Sequence, residues 1–123
     1  MRIKNQILES AKSMTSSFVT IASEIEYSYG FAMFIRWTAG TAPTGNFQVQ
    51  GSLLPDFENG VTRDDTLTSI DWVNIGSAVA AGGGLGKSLV NFDAQYYPYV
   101  RVTYTAATNT ATAYIRIYKK GPG

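Results

Sequence analysis

Short stretches of alternating apolar and polar residues constrain the fold of this chain most. Because successive side chains of a strand point to opposite faces, each stretch predicts a strand with one buried face. The apolar sets expected to point inward are Phe31, Met33, Ile35 and Trp37, then Val100, Val102 and Tyr104, then Ala113, Ile115 and Ile117. Turn-forming residues separate these stretches, and a helical period is almost absent. The chain of 123 residues is therefore predicted to be all-β: a single antiparallel β-sandwich, jelly-roll-like, preceded by an N-terminal arm.

The domain organisation predicted from this pattern is an arm over residues 1–13 and a sandwich domain over residues 14–123. The apolar residues of the arm fit one and a half helical turns, a strand or an extended arm equally well. Within the sandwich, residues 14–25 are rich in β-branched residues and are expected to form a strand.

Two connections carry the composition of hairpin turns. The Gly- and Pro-containing segment Ala39–Gly45 predicts that residues 30–54 form a β-hairpin. The segment Ala106–Thr110 predicts a second hairpin, between strands at residues 99–105 and 111–118. Shorter strands are expected at residues 70–75, around Trp72, and at residues 88–92.

The composition excludes several kinds of chemistry. The chain has no cysteine and no histidine, so disulfides, thiolate zinc sites and Ser-His-Asp triads cannot be built. Lys and Arg number 10 against 9 Asp and Glu, which gives no indication of a nucleic-acid partner. No apolar run is long enough to cross a bilayer, and we expect neither a signal peptide nor a membrane partner. We therefore expect no enzyme activity, no cofactor and no metal.

Residues Ala81–Ser88 match a relaxed phosphate-loop pattern, with Ala in place of the first Gly. A true phosphate loop leads from a strand into a helix, whose N-terminal amides face the phosphate. Here the residues that follow, Leu89–Asp93, have the composition of a strand. A flexible turn between strands is the favoured interpretation.

Four acidic residues lie in the long polar segment of residues 55–68: Asp56, Glu58, Asp64 and Asp65. Their oxygens could ligate Ca²⁺, or two of them could act as an acid/base pair on a sugar. The spacing is not that of a helix–loop–helix calcium site, and no cleft is indicated around them. A solvated acidic loop is therefore favoured.

Aromatic residues give two further hypotheses. Tyr96, Tyr97 and Tyr99 flank Pro98, where they either stack on a sugar or partner protein, or pack as core and rim residues.

A second set combines arginines and tyrosines that are expected on outward strand faces: Arg36, Arg101, Arg116, Tyr114 and Tyr118. Such a set could stack single-stranded nucleic acid. The near-neutral charge favours ordinary solvent-facing residues instead.

Three segments resemble a pattern of small bacteriophage virion proteins with a β-sandwich fold: Gly45–Ser52, Ile70–Gly76 and Tyr97–Thr105. The opening Asn5–Leu8 and the segment Tyr29–Ala32 also fit this pattern. The resemblance implies a module that decorates heads or builds tail and fibre parts. This chain departs from the pattern at residues 53–69, where the relatives have a short turn. We hypothesise that the insertion reaches a neighbouring subunit, so that deleting residues 55–68 weakens assembly without unfolding the domain.

These observations together predict a non-enzymatic phage structural protein, a capsid decoration or cement protein that binds the head shell. The alternative is a tail- or fibre-associated module that binds host-surface carbohydrate. The expected partners are the major capsid protein or tail components and further copies of the chain in a homo-oligomer. The expected location is the virion, assembled in the cytoplasm of the bacterial host. The candidate subunit contacts are Ile3, Ile7, Leu8, Phe57, Tyr96 and Tyr97.

Overall fold

The computed structural model of the chain describes residues 2–25, 30–38, 45–52, 72–81, 86–93, 99–106 and 111–121. Ten strands account for most of these residues, and no helix occurs among them. The strands are β1 Arg2–Ser13, β2 Phe18–Val19, β3 Ser23–Glu24, β4 Gly30–Trp37, β5 Gly45–Ser52, β6 Val73–Asn74, β7 Val79–Ala80, β8 Gly86–Asp93, β9 Tyr99–Ala106 and β10 Thr112–Gly121. The described part of the chain thus contains no helix long and apolar enough to span a membrane.

The strands form two antiparallel sheets that pack against each other. The four-stranded sheet has the order β1-β10-β4-β8. The six-stranded sheet has the order β2-β9-β5-β6, with β3 also on β9 and β7 also on β5. The short strands β2 and β3 pair with β9 at different residues, as β6 and β7 do with β5, so each pair occupies one strand position. Successive strand positions mostly alternate between the sheets. The predicted jelly-roll-like sandwich is confirmed.

The core lies between the two sheets, and the alternation identified its faces correctly. The inward residues of β4, β9 and β10 are all buried, and Met33, Ile35 and Val102 are fully so. Aromatic contacts join the sheets: the Phe47 ring lies 5.8 Å from the ring of Trp37, on the opposite sheet, and 4.9 Å from that of Tyr104. Burial of these side chains from both sheets is the main source of stability in a fold of this kind.

Both predicted hairpins are wrong. Strands β4 and β5 lie in different sheets: β4 pairs with β10 and β8, whereas β5 pairs with β9. The same holds for β9 and β10, so the segments after β4 and after β9 lead from one sheet to the other. Turn-forming residues indicate that the chain reverses direction. The same residues occur in a turn within one sheet and in a connection between two facing sheets, so composition does not distinguish them.

The segment predicted as an N-terminal arm is a strand at the edge of the four-stranded sheet. It pairs with β10 along its length, from Arg2 opposite Gly121 to Ser13 opposite Thr112. The register shifts twice, between Ile7 and Glu9 and again before Lys12. Ala11, near the second shift, has a φ of 52°, which is uncommon for a residue with a side chain and typical of bulged strands.

The strand predicted over residues 14–25 consists of two short strands. Both β2 and β3 pair with β9, and Thr20 lies between them with its backbone N–H bonded to Val102. Residues 18–24 therefore form one interrupted edge of the six-stranded sheet.

Candidate functional site: the outer face of the four-stranded sheet

The outer face of the four-stranded sheet carries apolar side chains where a solvated sheet carries polar ones. The strand register places Ile7, Arg116, Phe34 and Leu89 in one row across all four strands. At the two ends of this row, Ile7 is 51% and Leu89 is 56% exposed. We call the apolar members of this face the outer patch, which comprises Ile7, Ala32, Phe34, Leu89 and Tyr118.

Two shallow depressions cross the outer patch. One, of about 420 Å³, is lined by Ala32, Phe34, Leu89 and Tyr118. The other, of about 350 Å³, extends from Ile7 on β1 to Lys87 on β8, and Phe34 and Tyr118 line both depressions. A surface of this shape offers sockets for apolar side chains of a partner and no enclosed cavity for a small substrate.

Basic side chains border the outer patch on one side. Arg36 lies with its guanidinium carbon 4.4 Å from the centroid of the Tyr114 ring, which fixes its position by a cation–π contact. Lys87 stands opposite Arg36 in the register and is exposed, and Arg116 lies within the row itself. The carboxylate of Glu9 also lines the second depression. The electrostatics of this border therefore favour a partner surface with acidic groups.

The outer face of the six-stranded sheet differs, because the chain itself covers part of it. Trp72 lies over Arg101, whose guanidinium carbon is 4.1 Å from the Trp72 ring centroid. Arg101 Nε donates to Gln50 Oε1 at 3.0 Å, and Gln50 Nε2 donates to Asn74 Oδ1 at 2.9 Å. Arg101 was expected to face solvent, but it is 5% exposed under this cover. The expectation of three solvent-facing arginines is therefore wrong for Arg101.

Both tryptophans of the chain are buried. Trp37 lies in the core and Trp72 packs with Ala22 and Tyr99 on the outside of the six-stranded sheet. Neither ring has an open face on which a sugar could stack. The aromatic rings that do reach the surface of the described residues include Phe34 and Tyr118 of the outer patch.

A serine–lysine contact, which sequence inspection did not find, lies at one end of the sandwich. Lys119 Nζ donates to Ser23 Oγ at 3.1 Å, and Ser23 Oγ donates to Gln6 Oε1 at 2.7 Å. Such a pair resembles a nucleophile and its base. Ser23, however, is 1% exposed, so its hydroxyl is closed to a substrate. The contact joins β3 of one sheet to β1 and β10 of the other, and we assign it a structural role.

Three of the six predicted subunit contacts lie on β1. Ile7 belongs to the outer patch, whereas the next residue, Leu8, is 2% exposed and packs in the core. Ile3 pairs with Lys120 in the register. The remaining candidates, Phe57, Tyr96 and Tyr97, lie outside the described residues. Whether any of these residues contacts another subunit stays a prediction.

The structure describes part of the relaxed phosphate-loop pattern but not the acidic loop. Strand β8 begins at Gly86, inside the relaxed phosphate-loop pattern, so the strand predicted after that loop is confirmed and no helix N-terminus stands there to bind a phosphate. The acidic loop with Asp56, Glu58, Asp64 and Asp65 lies outside the described residues, as does the insertion of residues 53–69. Among the residues that are described, no group of three or more acidic side chains is placed to hold a metal ion.

The fold and the outer patch together define a small jelly-roll-like β-sandwich that carries, among its described residues, exposed apolar side chains on the outer face of one sheet. No protein-family model matches the chain, and no curated protein matches it.

Proposed function

We propose that this chain is a non-enzymatic structural protein of a bacteriophage particle, a capsid decoration protein that binds the head shell through the outer patch. The observation that carries the proposal is the row that ends in Ile7 and Leu89, where apolar side chains stay half-exposed on the face of a regular sheet. Large apolar side chains left exposed on the face of a sheet in a folded domain mark a contact with another macromolecule.

The fold supports the same class of function by analogy. Jelly rolls occur in viral capsid domains and in lectins, so the architecture fits both a shell protein and a carbohydrate-binding module. The resemblance of Gly45–Ser52 and Tyr97–Thr105 to phage virion proteins is compatible with both, because such proteins decorate heads or build tail and fibre parts. The burial of Trp37 and Trp72 removes the strongest stacking groups that the second would use.

The energy of one contact is modest, which suits a protein that acts in many copies. Completing the burial of a side chain that is already half-buried contributes about 1 kcal/mol, half of the gain for a fully exposed one. Ile7 and Leu89 together thus contribute about 2 kcal/mol, and Phe34 and Tyr118 add to it. Copies arranged on a lattice, or linked to one another, convert such contacts into stable attachment. The basic border selects a shell surface that is apolar with acidic groups beside it.

Particle composition tests the proposal. Particles of the phage that encodes the chain are purified, and the copy number and position of the protein are measured by quantitative mass spectrometry and cryo-electron microscopy. We expect a high copy number on the head shell. A low copy number on the tail, together with retention on host polysaccharide, would establish the alternative module, and absence from the particles would refute both.

A matched pair of substitutions tests the surface. Leu89→Glu places a charge in the outer patch, and Val73→Glu places one on β6 of the other sheet, where Val73 is 50% exposed. Because the charge at residue 89 must lose its hydration on docking, we expect Leu89→Glu to lower incorporation into particles at least about tenfold. Val73→Glu should leave incorporation unchanged. Equal effects of the two substitutions would exclude the outer patch as the docking surface.

A further inference from the structure

We infer that β8 pairs antiparallel with β8 of a second copy of this chain, which joins the two four-stranded sheets into one continuous sheet. Strand β8 ends the sheet, and its only strand partner among the described residues is β4. Alternate residues of an edge strand direct N–H and C=O groups away from the sheet, and another strand satisfies them best. The inference is independent of the head-shell proposal, because it concerns the isolated chain.

The two edges of the four-stranded sheet differ in how well they accept a strand. Strand β1 has two register shifts, and bulges of this kind discourage pairing at an edge. Strand β8 pairs with β4 over eight residues without a register shift and contains no proline. A long, regular edge of this kind accepts another strand, so the partner is expected at β8.

The sequence of β8 selects a second copy of itself as the partner. In a two-fold pair of strands, residues that stand opposite each other must lie on the same face of the sheet. This condition allows only registers in which the two-fold axis passes through a residue. An axis through Val90 places Lys87 opposite Asp93 of the second copy, twice in each dimer. An axis through Leu89 places Lys87 opposite Asn91 instead. The Val90 register therefore places a basic and an acidic position opposite each other at both ends of the new ladder.

The same register joins the outer patches. With Val90 on the axis, Leu89 stands opposite Asn91 of the second copy, and the two Leu89 side chains lie on the same face beside the axis. Each Leu89 neighbours Phe34 of its own sheet. Pairing thus lengthens one apolar face across two copies, and the resulting sheet of twice four strands is within the ordinary size of open sheets.

Sedimentation of charge variants tests the pairing. The wild-type chain, of 13.4 kDa, is expected to sediment with twice that mass. Lys87→Asp and Asp93→Lys each bring like charges together across the axis and should weaken dimerisation at least about tenfold, whereas the double variant restores it. Lys4→Asp makes the same charge change on β1 and is expected to leave the dimer intact. Circular dichroism confirms that each variant is folded.

Cysteine crosslinking tests the register directly, because the chain has no native cysteine. Val90→Cys brings two thiols together on the axis, where a short bifunctional thiol reagent should link the copies. Ile7→Cys, at a residue 51% exposed on the opposite edge strand, provides the control and should stay unlinked.

Two results would overturn the inference. One is a folded wild-type monomer at concentrations of about 100 µM, where a specific edge contact is populated. The other is a dimer that neither charge variant weakens and that Val90→Cys fails to crosslink, which would place the contact on another surface.

Discussion

Gly86, the first residue of β8, has no room for a side chain. A Cβ built on Gly86 lies 2.3 Å from Cζ2 and 2.4 Å from Cε2 of Trp37, the residue opposite it on β4. Real Cβ atoms stay beyond 3.0 Å from such neighbours, so the indole ring fills the space that a side chain would need. The φ angle of Gly86 lies outside the left-handed region, so Gly86→Ala introduces a steric clash without backbone strain.

The magnitude follows from how firmly Trp37 is held. To accept the methyl group, the ring must move by about 1 Å to reach an ordinary contact distance. Trp37 is 6% exposed and its ring stacks 5.8 Å from that of Phe47, so it has little room to move. Overpacking of this kind costs about 1–3 kcal/mol, and we expect Gly86→Ala to lie in the upper half of that range.

Urea denaturation followed by tryptophan fluorescence measures this change in the free energy of unfolding. A double-mutant cycle with Trp37→Leu isolates the clash, because the smaller side chain leaves room for the methyl group. We expect the double variant to be more stable than the sum of the single changes by about 2 kcal/mol. Ser88→Ala on the same strand is the control and should change stability by less than about 0.5 kcal/mol. Additive effects in the cycle would refute the steric explanation.

Three further substitutions test the packing and the buried polar contacts, each by the same denaturation measurement. Phe47→Ala removes a fully buried ring from between the sheets and should cost about 3–5 kcal/mol, whereas a cost below 1 kcal/mol would mean that the core is packed differently. Arg101→Lys loses the Nε donor and the planar contact with Trp72, so we expect a loss of about 1–2 kcal/mol. Thr20→Val leaves the backbone N–H of Val102 without its hydroxyl acceptor, at 3.0 Å in the wild type, and should cost about 1–3 kcal/mol, with no change contradicting that role.

The buried faces of this fold could be predicted from the sequence, but the strand pairing could not. Alternation identifies Ile35 and Val102 as inward residues because burial depends on each strand by itself. Which strands pair depends on how the pairing energy of one strand compares across all possible partner strands. Strand β4 pairs over eight continuous residues with β10 and with β8, and not with β5, which follows it in the sequence. Local turn composition carries no information about that comparison.

The outer patch could be predicted in part. Phe34 interrupts the alternation of β4, where Phe31 to Ile35 are all apolar, and an apolar residue in the outward phase indicates a covered face. Leu89 gives no such indication, because its neighbours on the same face of the strand, Lys87 and Asn91, are polar. Its position beside Phe34 follows from the register of β8 on β4, which is a property of the folded sheet.

The twist of the sheet determines how a paired molecule would meet a partner surface. Adjacent strands rotate by about 20–25°, so β4 of one copy and β4 of the other, three strand steps apart, differ in direction by about 60–75°. A surface that touches both copies therefore meets the residues next to the axis, such as Leu89, and turns away from Ile7 at the far edges. In a paired molecule, Leu89→Glu should reduce particle incorporation several-fold more than Ile7→Glu. If the chain docks as a monomer, we expect the two substitutions to lower incorporation by similar factors, since Leu89 is 56% and Ile7 is 51% exposed. Equal losses in the incorporation assay would therefore indicate that the chain docks without the β8 contact.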